Sequence, residues 1–403
     1  MPATRKAAVN FILVTVLIDV IGFGIIIPVL PKLLAEMNDV SLNEASTYGG
    51  FLLTAFAVAQ FLFSPIMGSL SDQYGRRPIL LLSLFGFAVD YLILAFAPTY
   101  AWLLVGRIIA GVCGASFTTA SAYIADVSTQ ENRAQNFGMI GAAFGMGFVI
   151  GPLLGGVFGE LGVRVPFYVA AGLSFLNFLY GYFILPESLA ADKRRAFTWR
   201  RANPVGTLRQ IFSYSGIGFL LLAFFLLSLA SHAVNSNWAY FTMYRFGWSE
   251  FTVGLSLACA GVLSGLAQAG FAQKANNYFG VGKSIYLGIG LYGTGMLLFA
   301  FASASWMMFA ILVPFCVGTI CTPSLQSYLT SRVGDDEQGE LQGGLTSLQS
   351  LTTIFGPLIM TGIFFYTTQE GTPVYFPGSA FALAAVLVAI SCIIAFVQLR
   401  GQH

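Results

Sequence analysis

Three ionisable side chains lie within long apolar stretches of the sequence: Asp19, Asp90 and Arg107. Ionisable groups at membrane depth are energetically expensive and mark proton or ion pathways. Because burial disfavours the charged form of a carboxyl group, Asp19 or Asp90 is a candidate to bind and release a proton. Arginine keeps its proton, so Arg107 would adjust the protonation of a neighbouring acid or hold an anion. The alternative is a permanent ion pair that staples helices together.

Six further side chains in apolar stretches could hydrogen-bond to a ligand or stack against it: Gln60, His232, Asn235, Trp238, Gln268 and Gln326. Together with 38 phenylalanines, they predict an aromatic cavity with scattered hydrogen-bond partners. Such a cavity suits an amphipathic, drug-like molecule better than a sugar or a phosphate. For each residue alone, an interhelical hydrogen bond is the alternative. His232 is also a secondary candidate for proton coupling.

The composition excludes most classes of soluble protein. Hydrophobic residues make up 57% of the 403 positions and charged residues only 9%, whereas soluble proteins carry about 25% charged residues. The 19 basic and 17 acidic residues nearly cancel, which indicates no nucleic-acid partner. The five cysteines show no metal-ligand spacing, so we expect neither a metal nor a cofactor. No Walker loop or catalytic constellation is present, and we predict no enzymatic activity.

The apolar stretches predict an all-α integral membrane protein, because a spanning helix needs about 20 mostly apolar residues. The expected domains are an N-terminal bundle at 1–186, a cytoplasmic linker at 187–212 and a C-terminal bundle at 213–403. Twelve spans are predicted at about 8–31, 46–70, 77–98, 101–125, 134–159, 164–185, 213–240, 249–273, 282–302, 305–329, 339–366 and 376–398.

The distribution of basic residues predicts the orientation of these spans. With both termini in the cytoplasm, 15 of the 19 lysines and arginines fall on the inner side. The outer loops then carry only Lys32, Arg164 and Arg245. This asymmetry follows the positive-inside rule. We therefore expect a multi-pass protein of a bacterial inner membrane with both termini cytoplasmic.

An internal repeat relates the two halves of the chain at one ungapped offset of 205 positions. It pairs Gly151-Pro152 with Gly356-Pro357, and Gly75 with Gly280. Duplicated halves are typical of secondary transporters, which place the substrate site near the bilayer midplane between the repeats.

A glycine-rich, charged loop joins the second and third predicted spans. Gly68 is expected to let two helices approach closely, and Gly75 to allow a tight turn. Asp72 can cap or pair near a helix start. Arg76 and Arg77 are expected at the cytoplasmic surface, where they can pair with acids or headgroups.

The fifth span carries Gly147, Gly151 and Gly155 at intervals of four residues, together with Pro152. This spacing places the glycines on one helix face, where small residues allow a neighbouring helix to pack closely. Pro152 removes one backbone donor and can kink the helix. Tight packing without any directional role is the alternative interpretation of the pattern.

These motifs carry a resemblance to a known family. The loop resembles the signature loop of the major facilitator superfamily, and the fourth and fifth spans resemble its arginine and antiporter motifs. Further stretches narrow the match to the tetracycline-efflux group of drug/proton antiporters. The stretches that carry the resemblance are Gly68–Pro78, Gly106–Gly111, Gly145–Gly156, Asp19–Pro31, Leu84–Tyr91 and Arg245–Trp248.

The resemblance implies a major facilitator fold, with twelve transmembrane helices in two six-helix pseudo-symmetric bundles that work by alternating access. It also implies that Asp72, Gly75 and Arg76 belong to a cytoplasmic latch, which Asp126 and Arg133 would join. In the repeat copy, Asn277 stands at the position that corresponds to Asp72. The helix-5 motif of the family is associated with exchange rather than uptake.

The chain departs from the resembled exporters at two positions. Those exporters carry a histidine in helix 8 and an acid in helix 9, whereas this chain has Ser264 and Tyr292 at the corresponding places. Any coupling to protons therefore has to depend on the first half of the chain.

The leading functional hypothesis is proton-coupled efflux of an amphipathic compound such as tetracycline. The alternatives are a proton-coupled uptake symporter for a small nutrient or siderophore, and a non-transporting membrane sensor or scaffold. The expected partners are the small-molecule substrate, protons and membrane lipid. The resemblance implies a monomer.

Overall fold

A computed structural model describes residues 3–115, 117–197, 218–334 and 338–400. Within these ranges the regular structure is helical and contains no strand. A chain in hydrocarbon has to satisfy its backbone hydrogen bonds internally, and a helix does so within one segment. Twelve helical stretches of the described chain are long and apolar enough to cross a membrane. The all-α prediction is confirmed, and the protein is a multi-pass membrane protein.

Within the described residues before the predicted linker, the chain forms eight α-helices. The first ends at Ile26 rather than near residue 31, because Pro28 lacks a backbone N–H and disfavours helical geometry just before it. The fourth predicted span is formed by two consecutive helices, α5 and α6. The helices are α1 (Ala3–Ile26), α2 (Leu30–Asn38), α3 (Leu42–Tyr74), α4 (Arg76–Phe96), α5 (Tyr100–Gly114), α6 (Phe117–Val127), α7 (Arg133–Gly159) and α8 (Val165–Ile184).

Eight further α-helices lie in the described residues after the linker, and one π-helical turn, Ala267–Phe271, interrupts the eighth span. Most of the predicted linker, 198–212, and the first residues of the seventh predicted span, 213–217, lie outside the described residues. The helices are α9 (Gly218–Phe246), α10 (Glu250–Leu266), α11 (Ala272–Phe279), α12 (Val281–Phe301), α13 (Ser305–Gly318), α14 (Cys321–Thr330), α15 (Gln338–Thr368) and α16 (Ser379–Arg400).

The described residues group into two compact units. Unit 1 contains those of 1–40, 55–204 and 249–258, and unit 2 contains those of 41–54, 205–248 and 259–403. The start of α10 therefore belongs to unit 1, although it comes late in the chain. The division of the chain at the linker 187–212 stays a prediction.

In unit 1, the glycine face of α7 packs directly on α1. A Cβ atom added at Gly147 would lie 2.7 Å from Val20 Cβ, and one added at Gly151 would lie 2.8 Å from the Ile21 carbonyl oxygen. Gly155 meets the backbone of Ile25 in the same way. The four-residue spacing of these glycines therefore corresponds to a backbone-to-backbone contact that leaves no room for side chains.

In unit 2, Trp238 lies at the centre of an aromatic cluster. Its side chain is 1% exposed. Its ring lies 5.0 Å from that of Phe299 and 6.2 Å from that of Phe381, both in edge-to-face geometry. The large ring of Trp238 thus fills the core of the unit, and its role in substrate binding stays a prediction.

The repeat is visible in the backbone. Gly75 and Gly280 both have positive φ angles, 104° and 80°, and each directly precedes a long helix, α4 and α12 respectively. Only glycine adopts such angles without steric cost. Residues separated by 205 positions therefore share a local conformation as well as a sequence pattern.

We expect Gly151→Ala to destabilise the protein by about 1–3 kcal/mol, because the new methyl group would overpack the contact between α7 and α1. Thermal unfolding of the purified protein in detergent measures the effect. Gly141→Ala is the matched control on the same helix, since nothing lies within 4 Å of a Cβ added there. The control should be neutral or stabilising by up to about 1 kcal/mol. Equal destabilisation by both variants would contradict the packing role.

Candidate functional site

A cavity of about 350 Å³ lies within unit 1. Three of the predicted site residues, Asp19, Gln60 and Arg107, stand in its wall. They come from three helices, α1, α3 and α5, so residues far apart in sequence share one chamber. The rest of the wall is mainly apolar and includes the aromatic side chains of Phe23, Phe56, Phe87, Tyr91, Phe117 and Phe144.

Asp19 is the acidic residue that faces this cavity. Within the described residues, its Oδ1 atom is buried and has no hydrogen-bond partner. The following turn of α1 packs against Tyr91, because a Cβ at Gly22 would lie 3.0 Å from Tyr91 Cζ. A buried carboxylate oxygen without a partner is costly. Asp19 is therefore ready to accept a proton or a positively charged ligand group.

Asp90 and Arg107 form a buried ion pair, in which Arg107 Nη2 donates to Asp90 Oδ2. Asp90 is 0% exposed and Arg107 is 7% exposed. Gly106 makes room for the acid, because a Cβ there would lie 2.8 Å from Asp90 Oδ1. The ion-pair interpretation thus describes two of the three intramembrane charges, whereas Asp19 remains outside the pair.

Arg76 organises a second cluster, at the predicted cytoplasmic end of unit 1. Its Nη1 atom lies 2.6 Å from Asp72 Oδ1, and its Nε atom lies 3.3 Å from Asp126 Oδ2. Nη1 also donates to Ser71 Oγ at 2.6 Å. The structure therefore brings the predicted latch residues Asp72, Arg76 and Asp126 together. Arg76 itself is buried between its partners rather than lying at the surface.

Arg133 and Gly68, at the same end of the unit, make contacts that differ from the expected ones. Arg133 forms no ion pair among the described residues; its Nη2 donates to the Ala125 carbonyl at 3.4 Å instead. That carbonyl lies in the last turn of α6, where the helix dipole attracts cations. Gly68 makes no close helix crossing, because a Cβ there would have only an ordinary contact with Thr118 Oγ1 at 3.8 Å.

Glu187 is a member of the Arg76 cluster that the sequence analysis missed. Its Oε1 accepts the backbone N–H of Arg76 at 2.9 Å, and its Oε2 accepts that of Arg77 at 3.2 Å. The carboxylate thus caps the N-terminus of α4, where backbone donors lack helical partners. Gly75 lies so close that a Cβ would be 2.8 Å from Glu187 Cδ. An acid directly after Pro186, at the end of the sixth span, was the available signal.

The described part of the linker lies against the same loop. The backbone N–H of Arg195 donates to the Asp72 carbonyl at 3.0 Å, and that of Phe197 donates to Gln73 Oε1 at 3.2 Å. On the other side of the loop, the Arg77 side chain donates through Nη2 to the Tyr182 carbonyl of α8 at 2.7 Å. The signature loop is thus held by α8 and by the start of the linker.

The remaining binding candidates lie in unit 2 and do not line the cavity of unit 1. His232 is buried against Gly356, where a Cβ would lie 2.8 Å from His232 Cβ. Gln326 Nε2 donates to Gln342 Oε1 at 3.0 Å, which is the interhelical hydrogen bond given as its alternative. Asn235 and Gln268 are exposed, and Gln268 lies in the π-helical turn.

Tyr292 occupies the position of the acid in the resembled exporters. It is 7% exposed, and its ring stacks on that of Phe315 at 5.0 Å. The backbone of Gly318 packs against it, since a Cβ there would lie 2.7 Å from Tyr292 Cα. An aromatic contact has therefore replaced an ionisable group at this point of unit 2.

The family model of the Major Facilitator Superfamily matches residues 12–357 and 220–402. The chain belongs to the major facilitator superfamily. A solved bacterial homologue of the human lysosomal transporter Spinster has the same fold, with a TM-score of 0.79 at 15% identity over 99% of this chain and 98% of its own.

Two curated relatives place the chain within the superfamily. The class C tetracycline resistance protein of Escherichia coli is 42% identical over 357 residues, which cover 89% of each protein. The class H tetracycline resistance protein of Pasteurella multocida is 37% identical over 399 residues, covering 98% of this chain and 97% of the relative. These matches confirm the resemblance to the tetracycline-efflux group.

We expect Arg107→Gln to destabilise the protein by about 3–5 kcal/mol, because it leaves the Asp90 carboxylate buried without its partner. The double variant Asp90→Asn/Arg107→Gln should recover part of that loss, since it removes the orphaned charge. Thermal unfolding in detergent measures both. No recovery in the double variant would show that the two side chains act independently.

We expect Glu187→Ala to destabilise the protein by about 1–2 kcal/mol, because α4 loses its N-terminal cap. Glu187→Gln should cost less, since the amide oxygen still accepts a hydrogen bond. Asp192→Ala is the control, an exposed acid of the linker. The capping role is refuted if the control lowers the unfolding temperature as much as Glu187→Ala does.

Proposed function

We propose that the protein is a secondary active transporter that exports an amphipathic, drug-like compound such as tetracycline in exchange for protons. Alternating access between the two bundles divided by the linker would carry the cycle. In the proposed setting, the protein lies in a bacterial inner membrane with both termini cytoplasmic and acts as a monomer. It is a transporter and not an enzyme.

The observation that carries the proposal is the position of Asp19 in the unit 1 cavity. Its carboxylate has an oxygen without a hydrogen-bond partner among the described residues, and aromatic side chains line the same cavity. Such a chamber offers apolar area to the body of a drug and one acid to a proton or to a basic group. Proton and substrate would then occupy the same carboxylate in turn.

The ion pair of Asp90 and Arg107 supports separate roles for the three intramembrane charges. Each ion is the other's partner in a low-dielectric interior, so neutralising either one leaves a buried charge uncompensated. The pair therefore supports Asp19, rather than Asp90, as the group that exchanges the proton. Arg107 acts as a positioning residue, since it holds Asp90 and stands in the same cavity wall as Asp19.

The names of the relatives support export as the direction. Both curated relatives described above are resistance proteins, and removal of a drug from the cell is how a transporter confers resistance. No observation in the structure favours the uptake symporter or the non-transporting sensor.

Transport by purified protein in liposomes tests this function. With an imposed pH gradient, added tetracycline should cause proton movement in the opposite direction to its own transport. Asp19→Asn should abolish this proton movement while leaving the protein folded, because an amide cannot carry the proton. Asp192→Asn, in the exposed linker, is the matched control and should behave like the unmodified protein.

The outcomes discriminate between the hypotheses. Proton movement in the same direction as the drug would establish a symporter instead. Full exchange by Asp19→Asn would exclude Asp19 as the carrier. Binding without any proton movement would exclude proton coupling.

A further inference from the structure

The first turn of α10 rests on the end of α7 through a second glycine face. A Cβ added at Gly156 would lie 2.7 Å from the Glu250 carbonyl oxygen, and one at Gly159 would lie 3.1 Å from Glu250 Cβ. From the side of α10, Gly254 meets the backbone of Pro152. This face differs from the one that packs on α1. The end of α7 is therefore in backbone contact with the segment that begins at Glu250.

An ion pair closes this junction. Lys32 Nζ, from α2, lies 3.0 Å from Glu250 Oε1. The Glu250 side chain is 7% exposed, whereas that of Lys32 is 51% exposed. Among the described residues, Oε1 accepts no well-aligned hydrogen bond, so the contact is ionic. A carboxylate removed from water depends on its counterion, while a half-exposed ammonium group remains solvated.

We propose that Lys32 and Glu250 form an ionic clasp that holds the first turn of α10 against α7 and α2, and that this clasp has to open during the transport cycle. The proposal rests on the alternating-access function above, in which helix contacts at one end of the protein separate while those at the other end form. Lys32 lies in a predicted outer loop, so the clasp would gate the outer end. Neither residue belongs to the signature loop, the arginine motif or the antiporter motif.

Because Glu250 is more buried than Lys32, we expect substitutions of the two residues to open the clasp to different extents. Lys32→Met leaves the buried Glu250 carboxylate without a counterion. The variant therefore strongly favours separation of the junction, because water can then solvate the carboxylate. Glu250→Gln removes the buried charge itself, and Lys32 remains hydrated. Lys32→Met should therefore open the clasp more than Glu250→Gln, and the double variant should open it less than Lys32→Met alone.

Val29 offers a site for measuring the opening. Its side chain is 0% exposed, and it packs on Gly159, where a Cβ would lie 2.6 Å from Val29 Cγ1. A cysteine at this position, Val29→Cys, reacts with a water-soluble maleimide only when the junction separates. Labelling of purified protein in lipid nanodiscs, followed by peptide mass spectrometry, gives the rate.

We expect Lys32→Met to raise the labelling rate of Val29→Cys on the order of tenfold, since it strands a buried charge in the closed state. Glu36→Gln is the matched control, because Glu36 is an exposed acid on the same helix that forms no ion pair in the described ranges. It should leave the rate unchanged. The native Cys113, buried in α5, reports global unfolding and should stay unlabelled in every variant.

Three results would overturn the clasp. They are an unchanged rate in Lys32→Met, an equal increase in Glu36→Gln, and a parallel rise in Cys113 labelling, which would mean that the variant unfolds rather than opens. The labelling needs no transport activity. If the unmodified protein fails to exchange drug for protons, the clasp can still be judged, and failure of the clasp leaves the exchange assay unaffected.

Discussion

The structure depends on one constraint: a polar group in hydrocarbon has no water to bind, so it has to find its partner inside the protein. The backbone meets this constraint by forming helices. Among the side chains, Asp90 and Arg107 meet it by pairing with each other. Asp19 has no ion-pair partner among the described residues, and its buried Oδ1 accepts no hydrogen bond there. Of the three intramembrane charges, the one without an ion pair is thus the residue that we propose as the proton carrier.

Helix α7 shows how glycine spacing organises the packing of unit 1. Gly147, Gly151 and Gly155 give one face to α1, while Gly156 and Gly159 give another to the start of α10. Both contacts bring backbones together, so even a methyl group on either face would be too large. A helix packed this closely on two sides can only move together with its neighbours or separate from them as a rigid body. Alternating access uses rigid-body motions of this kind.

The two ends of unit 1 differ in how their charged side chains are paired. At the predicted inner end, Arg76 lies between Asp72 and Asp126, and Glu187 caps the N-terminus of α4. Several groups together therefore stabilise the charges there. At the predicted outer end, Lys32 and Glu250 pair with each other and with no further charged group among the described residues.

The sequence by itself determined the class, the spans and the repeat, because hydrophobic length, glycine spacing and positive charge are local patterns that act within a helix or a loop. It also identified Asp19, Asp90 and Arg107, since an ionisable residue among apolar ones is conspicuous in any context. Only the tertiary structure decided which of them pair. Arg76 and Glu187 are separated by 111 positions, and Lys32 and Glu250 lie in different halves of the chain. Tertiary packing likewise decided that Arg133 pairs with no acid among the described residues and that Trp238 lies in a core. A side chain's partner depends on which helices approach one another, and no local pattern contains that information.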